Sequence, residues 1–301
     1  LCLIPKEPLK PGTTYNVRVH ATVDGEAKSL KWSFTTENRL DEVEKLRTDF
    51  LAEVNRRRRQ LGFDPLRLDP RISEACEEHQ HYLTYNPKQF KALVGNQLRP
   101  TDRFFTYRAS RISYATANSR INVSAREHAE DFMDFTTNRQ YLLDPRLRVV
   151  GVGADIPFSC SGMSTIGVFG VPSPRVKVSL PWVYPPPYAT DIPVRPRHGE
   201  LLSAFGLRKV QCGFVLSITW PPGVGVDERR NELRDDKNER VLAITHAYFI
   251  PYADGSQAWT EFVVPLQPLK PATRYSWHIM GRMKSESFET IRTFTTQPDE
   301  G

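Results

Sequence analysis

The same short segment is written at both ends of this chain, and no other feature constrains its fold as much. Residues 4–19, IPKEPLKPGTTYNVRV, match residues 264–279, VPLQPLKPATRYSWHI, without a gap. At the same offset WSFTT (32–36) matches RTFTT (292–296). Pro8, Leu9, Lys10, Pro11, Thr13 and Tyr15 recur as Pro268, Leu269, Lys270, Pro271, Thr273 and Tyr275. Such a repeat marks one structural unit used twice. A Pro-Leu-Lys-Pro turn followed by alternating residues predicts a strand that points Tyr15, Val17 and Val19 inward, or Tyr275, Trp277 and Ile279 in the second copy. A second strand ending in Phe-Thr-Thr closes a terminal hairpin. Two strands cannot bury an apolar face alone, so the first copy requires strands upstream. The second copy has them in GFVLSITW (213–220), VLAITHAYFI (241–250) and AWTEFVV (258–264), separated by turn residues.

The unit resembles bacterial Ig-like modules that end in such a hairpin. The resemblance implies all-β Ig-like sandwich modules, used as spacers or binding elements, and a secreted or cell-surface setting. Residues 190–301 then form one sandwich, and residues 1–37 are the C-terminal hairpin of a truncated one. WVYPPPY (182–188) reads as polyproline, so 176–189 is expected to be a stiff linker.

With 301 residues, the chain is longer than one compact core supports, and two or three domains are expected. The formal charge of +6 is mild and its signs are interleaved, which argues against a nucleic-acid partner. Arg56–Arg59 read as the basic end of a helix, spread around its surface with no aromatic stacking platform. No apolar run approaches the roughly 18 residues of a membrane span. The first residues lack a signal-peptide layout and an initiating Met, which suggests a piece of a longer protein. Cys2, Cys76, Cys160 and Cys212 are scattered without a CxxC pair, so neither a disulfide scaffold nor thiolate metal binding is indicated.

Between the repeats the period becomes helical. Leu40, Val43, Leu46, Phe50 and Val54 mark one amphipathic face, with Asn38 or Asp41 at its start. Asp69-Pro70 opens a second helix whose stripe is Ile72, Ala75, Cys76, His79 and Leu83. His79 is therefore read as a core histidine, whereas His81 falls on another, solvated face. Ser124 to Glu127 fits a capping box for a third helix burying Ala125, Ala129, Phe132 and Met133. It also explains Ser124 without the glycosylation sequon at Asn122. Strands over 148–156 and 165–171 follow.

These residues resemble the CAP superfamily, the SCP-like relatives of cysteine-rich secretory proteins. Asn55, Gly62, Pro65, Leu66, Asp69, Ile72, Ala75 and His79 fill the family's opening pattern. Phe132, Met133, Arg139, Leu142, Leu143, Pro145 and Gly151-Val152-Gly153 fill its second signature. The resemblance covers residues 38–175 and implies an α/β domain, an α-β-α sandwich, which is usually secreted. Many members line a cleft with two His and two acidic residues that can hold a divalent metal. Here the second His position is Asn138, within a helix-to-strand connection, and an amide is a poor zinc ligand. The stretch 86–123 contains neither His nor Glu, so the first His and the family's Glu are missing.

The cleft candidates that remain are Asn138, Arg139, His79, His81 and Asp134, the last read with Glu127 and Glu130 as a solvated face. No metal and no cofactor is expected. SCSGMS (159–164) reads as a turn, and no nucleophile elbow, HExxH or phosphate loop is present. The leading expectation is a degenerate, non-catalytic CAP-like domain that binds or displays an extracellular ligand: protein, lipid or cell-wall component. The alternatives are a CAP-type hydrolase with a rearranged cleft, and an adhesion protein whose Ig-like modules bind.

Overall fold

The computed structural model describes residues 5, 9–10, 12–36, 39–86, 98–102, 105–112, 117–121, 124–155, 164–173, 176, 178, 181–196, 212–224, 226–251, 257–283 and 286–298. Asn38, Asn122, half of 86–123 and nearly all of SCSGMS lie outside the described residues. Among the described residues, fifteen strands and five helices form a multidomain, β-rich chain with four sheets.

Strands β1 (Thr14–Val23) and β2 (Glu26–Thr35) pair as a separate hairpin. Asp24 and Gly25 turn it at positive φ, 53° and 83°, as a two-residue turn requires. Helix α1 (Arg39–Gln60) follows and stops at Gly62, φ 75°, where the Phe63 N–H returns to the Arg58 carbonyl. After β3 (Arg67–Leu68), helix α2 (Pro70–Tyr85) is capped by Asp69, which accepts from the Arg71 and Ile72 N–H groups. Helix α3 (Tyr107–Ile112) and β4 (Ala117–Ile121) precede α4 (Ala125–Asp134), which opens on the expected Ser124–Glu127 capping box. Helix α5 (Thr136–Leu142), β5 (Val149–Asp155) and β6 (Ser164–Gly170) complete this part.

The sheet is ordered β3-β5-β6-β4 and carries helices on both faces. On β5, Val150, Val152 and Ala154 enter the core with Phe50, Val54 and Phe132 of α1 and α4. Gly151 and Gly153 point the other way. A Cβ there would sit 2.3 Å from the Ile72 carbonyl carbon and 2.1 Å from that of Cys76. Only glycine lets α2 lie this close to the strand.

Nine further strands form two sheets: β7 (Trp182–Tyr184), β8 (Ala189–Ile192), β9 (Leu216–Thr219), β10 (Val226–Arg234), β11 (Arg240–Val241), β12 (Ala243–Pro251), β13 (Gln257–Pro265), β14 (Arg274–Met283) and β15 (Glu286–Thr296). Their orders are β11-β10-β14-β15-β8 and β12-β13-β9-β7. The expected linker 176–189 is corrected here. β7 pairs with β9 in one sheet, while β8 runs parallel to β15 in the other. Trp182, Val183 and Tyr184 bury fully enough to hold a strand, and Pro185–Pro187 occupy the crossing, where no ladder N–H is needed. β10, VDERRNELR, was not expected as a strand: Asp227 to Arg230 are exposed, and only Leu233 is fully buried.

The terminal repeat holds at the level of single hydrogen bonds. β1 and β2 pair from Thr14↔Thr35 to Val23↔Glu26, and β14 and β15 pair identically from Arg274↔Thr295 to Met283↔Glu286. The Lys10 N–H donates to Tyr15 Oη at 2.8 Å, and the Lys270 N–H to Tyr275 Oη at 2.7 Å. Thr36 Oγ1 accepts from the Thr13 N–H at 2.9 Å and donates to the Lys10 carbonyl at 2.6 Å. Thr296 Oγ1 does the same with Thr273 at 3.0 Å and Lys270 at 2.6 Å. Tyr15 stacks on Phe34 as Tyr275 stacks on Phe294, at 5.8 and 5.5 Å. The repeated Pro-Leu-Lys-Pro, Tyr and Phe-Thr-Thr thus encode one lock.

Candidate functional site

The segment FMDFTTNRQYLLDP holds the positions where the CAP resemblance places chemistry. It is not the helix-to-strand connection expected. After α4 ends at Phe135, Thr136 to Leu142 form α5, which starts without a side-chain cap. The following Leu142-Leu143-Asp144 turn is gripped by Arg58 of α1. Arg58 Nη1 donates to the Leu142 and Asp144 carbonyls at 2.6 and 3.0 Å, Nη2 to Leu147 at 3.0 Å, and Nε to Asp64 at 2.9 Å. Asn55 ties α1 to Leu66 by a two-way amide pair, 3.0 and 2.7 Å. The arginine run is therefore not spread over a surface: Arg57 and Arg58 are buried, and the carbonyls and carboxylates that receive them make this possible.

Arg139 is wholly buried where α5 meets the sandwich. Its Nη1 donates to the Met133 carbonyl at 3.0 Å and its Nη2 to Val215 at 2.9 Å. The guanidinium lies 4.8 Å from the Tyr184 ring centre and 5.4 Å from that of Phe214. Burial draws its pKa down to about 10. Beside it, Gln140 accepts a short hydrogen bond from Thr219 of β9. Arg57 reaches the same joint and holds Asp191 through both nitrogens, at 2.8 and 2.7 Å. Burial alone would raise the Asp191 pKa, but Arg57 and Arg56 outweigh it and hold the carboxyl below its ordinary range.

The remaining candidates are not brought to one place. His79 is buried on α2, as its stripe indicated, with burial pushing its pKa down to about 4. His81, two residues on, lines a different space: an open cavity of about 410 Å³ with Val43, Glu74, Glu77, Glu78, Arg108 and Ala154. Its carboxylates are already engaged, Glu74 by Arg108 at 2.6 Å, Glu77 by Arg47 at 3.0 Å, and Glu78 by Thr106 at 2.6 Å. Asp134, expected on a solvated face, is instead 6% exposed and lies at the joint with Arg57, Tyr184 and Asp191. Its α4 is turned so that its end packs on the sandwich, which single-helix periodicity could not reveal. Asn138 is half-buried on α5 and lines neither space. Among the described residues no three His, Cys, Asp or Glu converge as metal ligands.

A further cavity of about 350 Å³ opens between the two parts, walled by Leu61, Phe63, Pro145, Pro181, Trp182 and Pro187, with Arg292 at its polar side. Trp182 Nε1 and Arg292 Nε are buried there without hydrogen-bond partners among the described residues. The residues missed from sequence are Arg57, Gln140, Tyr184 and Asp191 at the joint and the groups that wall this cavity. Their one signal was the aromatic-proline string WVYPPPY.

Comparison with protein families and with curated proteins gave no match. Several solved structures are similar in part, two of them as follows. A DUF4426 family protein from Pseudomonas aeruginosa PAO1 has a TM-score of 0.23 at 15% identity, over 34% of this chain and 80% of that one. The GAE domain of GGA2p from Saccharomyces cerevisiae has 0.15 at 14%, over 28% and 77%. Likenesses this slight carry no argument about this chain.

Proposed function

We propose that the chain is a secreted or cell-surface binding module in which a degenerate, non-catalytic CAP-like layer and an Ig-like sandwich work as one body. The observation that carries this reading is the fate of the Asn138-Arg139 pair. The position of the family's second His holds an amide. Its neighbour Arg139 is spent as a strut between layers, its Nη1 and Nη2 donating to the Met133 and Val215 carbonyls. His79 and His128 are enclosed in the core, so neither offers a ring nitrogen to a cleft. The interdomain cavity, apolar with a cation at its edge, supplies a place for a ligand of mixed apolar and anionic character.

The test is zinc titration of the unmodified chain by calorimetry. No stoichiometric, His-dependent uptake is expected, and Asn138→His alone creates no tight site because a partner imidazole is missing. Stoichiometric binding abolished by His81→Ala would favour a hydrolase working from the Glu74–His81 cavity and would end this account.

A further inference from the structure

The β1–β2 hairpin carries an apolar ladder with nothing over it among the described residues. Tyr15↔Phe34, Val17↔Trp32 and Val19↔Leu30 are cross-strand pairs on one face. Phe34 is 40% exposed, Trp32 42% and Leu30 64%. In the second copy the equivalent pairs are Tyr275↔Phe294, Trp277↔Arg292 and Ile279↔Thr290. There Tyr275, Trp277, Ile279 and Phe294 are at most 1% exposed and belong to the core with Leu216, Ile218, Trp220 and Val263. The same backbone lock and register therefore present one covered face and one open face. The open face is the more apolar, because Trp32 stands where the covered one has Arg292 and Leu30 where it has Thr290.

We infer that this face docks the remaining strands of a sandwich of the C-terminal kind, contributed in cis. The second copy shows what each edge receives. β10 joins β14 antiparallel and β8 joins β15 parallel, so β1 and β2 take a β10-like and a β8-like strand. Since β14 and β15 are the last strands of their unit, the strands that complete the first copy precede the hairpin. Charge adds a further requirement. Lys270 Nζ bonds Asp235, beside the end of β10, at 2.6 Å. Lys10 keeps that cation, so the docking strands bring a carboxylate to it. The large indole has moved across the ladder, from Trp277 on the first strand to Trp32 on the second, and the partner's facing residues are shaped accordingly. This inference concerns a separate two-stranded sheet and stands apart from the proposed function.

The test replaces residues 270–296 of the full chain with residues 10–36, an exchange of equal length that retains Asp235. A folded monomer with one cooperative transition is expected, less stable than the unmodified chain because Val17 stands where Trp277 fills the core. Trp32→Glu should abolish the transition in the exchanged chain, while leaving the transition of the unmodified chain unchanged. If the first exchange fails to fold, a second carrying Val17→Trp and Trp32→Arg restores the C-terminal Trp–Arg pair and should fold. Failure of both overturns the inference. So does sedimentation of the unmodified chain as a dimer that Trp32→Glu dissociates, because the face would then serve a second copy.

Discussion

His79 and His128 show how much a single buried ring can contribute to the behaviour of this chain. Both are fully enclosed. Burial pushes each pKa down to about 4, in His128 against the opposing pull of Asp131 and Glu127. An unfolded imidazole titrates near 6.5. Between those values the unfolded chain binds protons that the folded chain does not, so stability is full above about 6.5 and declines as pH falls toward 4. A shift of this size corresponds to about 3 kcal/mol per ring as an upper figure. Urea denaturation at steps from pH 7.5 to 4.5 should show this decline, and His79→Gln with His128→Gln should flatten it. A flat profile in the unmodified protein would contradict the buried neutral rings. The core placement of His79 was legible because its helical stripe is regular. The burial of Asp134 and Arg139 was not, because a charge in a helix reads as solvated until its distant partners are known.

At the level of elements, sequence and structure agree best where the signal is local. Asp69-Pro70 and Ser124–Glu127 start α2 and α4 as their capping chemistry demands, and the Phe-Thr-Thr hairpin recurs bond for bond. Agreement fails where pairing decides. Trp182–Tyr184 is a strand only because β9 is there to receive it, and β10 hides its strand character under a charged outer face. Gly151-Val152-Gly153 was legible only as part of a signature. Its physical cause is the approach of α2, which leaves no room for a methyl group. Gly153→Ala places that methyl against backbone atoms of Cys76 and Glu77, which cannot rotate away. A loss of about 3 kcal/mol is expected, the upper end of the overpacking range. Gly62→Ala, where nothing lies within 4 Å, should cost only the left-handed strain, about 1 kcal/mol. Thermal denaturation of the two variants separates these causes, and equal losses would refute the packing argument.

Across the whole molecule, the helical layer and the sandwich are not beads on a string. One core runs from Phe50 and Phe132 through Trp182 and Tyr184 to Trp277 and Phe294. β9 is buried along its entire length, and Thr219 and Val215 beside it bond to Gln140 and Arg139 of α5. A joint of this kind should make the two parts unfold together. Arg139 decides how firmly they hold, and the sign of its contribution depends on what replaces it. The buried guanidinium carries a large desolvation cost, visible in its lowered pKa, which two carbonyls and two aromatic faces offset. Arg139→Lys keeps the charge but loses the planar fork that reaches both carbonyls and stacks on the rings. It should cost about 3 kcal/mol, because a hydrogen bond to a charged group contributes about 1.5–3 kcal/mol. Arg139→Met removes the desolvation cost together with the bonds and should be milder, as apolar replacement of buried ionic groups commonly is. Calorimetry would rank the variants, and hydrogen exchange would show whether Val215 and Met133 lose protection together. Separate melting of the two parts in the unmodified protein would mean that the joint is contact without coupling. The reading of Arg139 as a strut, rather than a remnant of a cleft, would then fall.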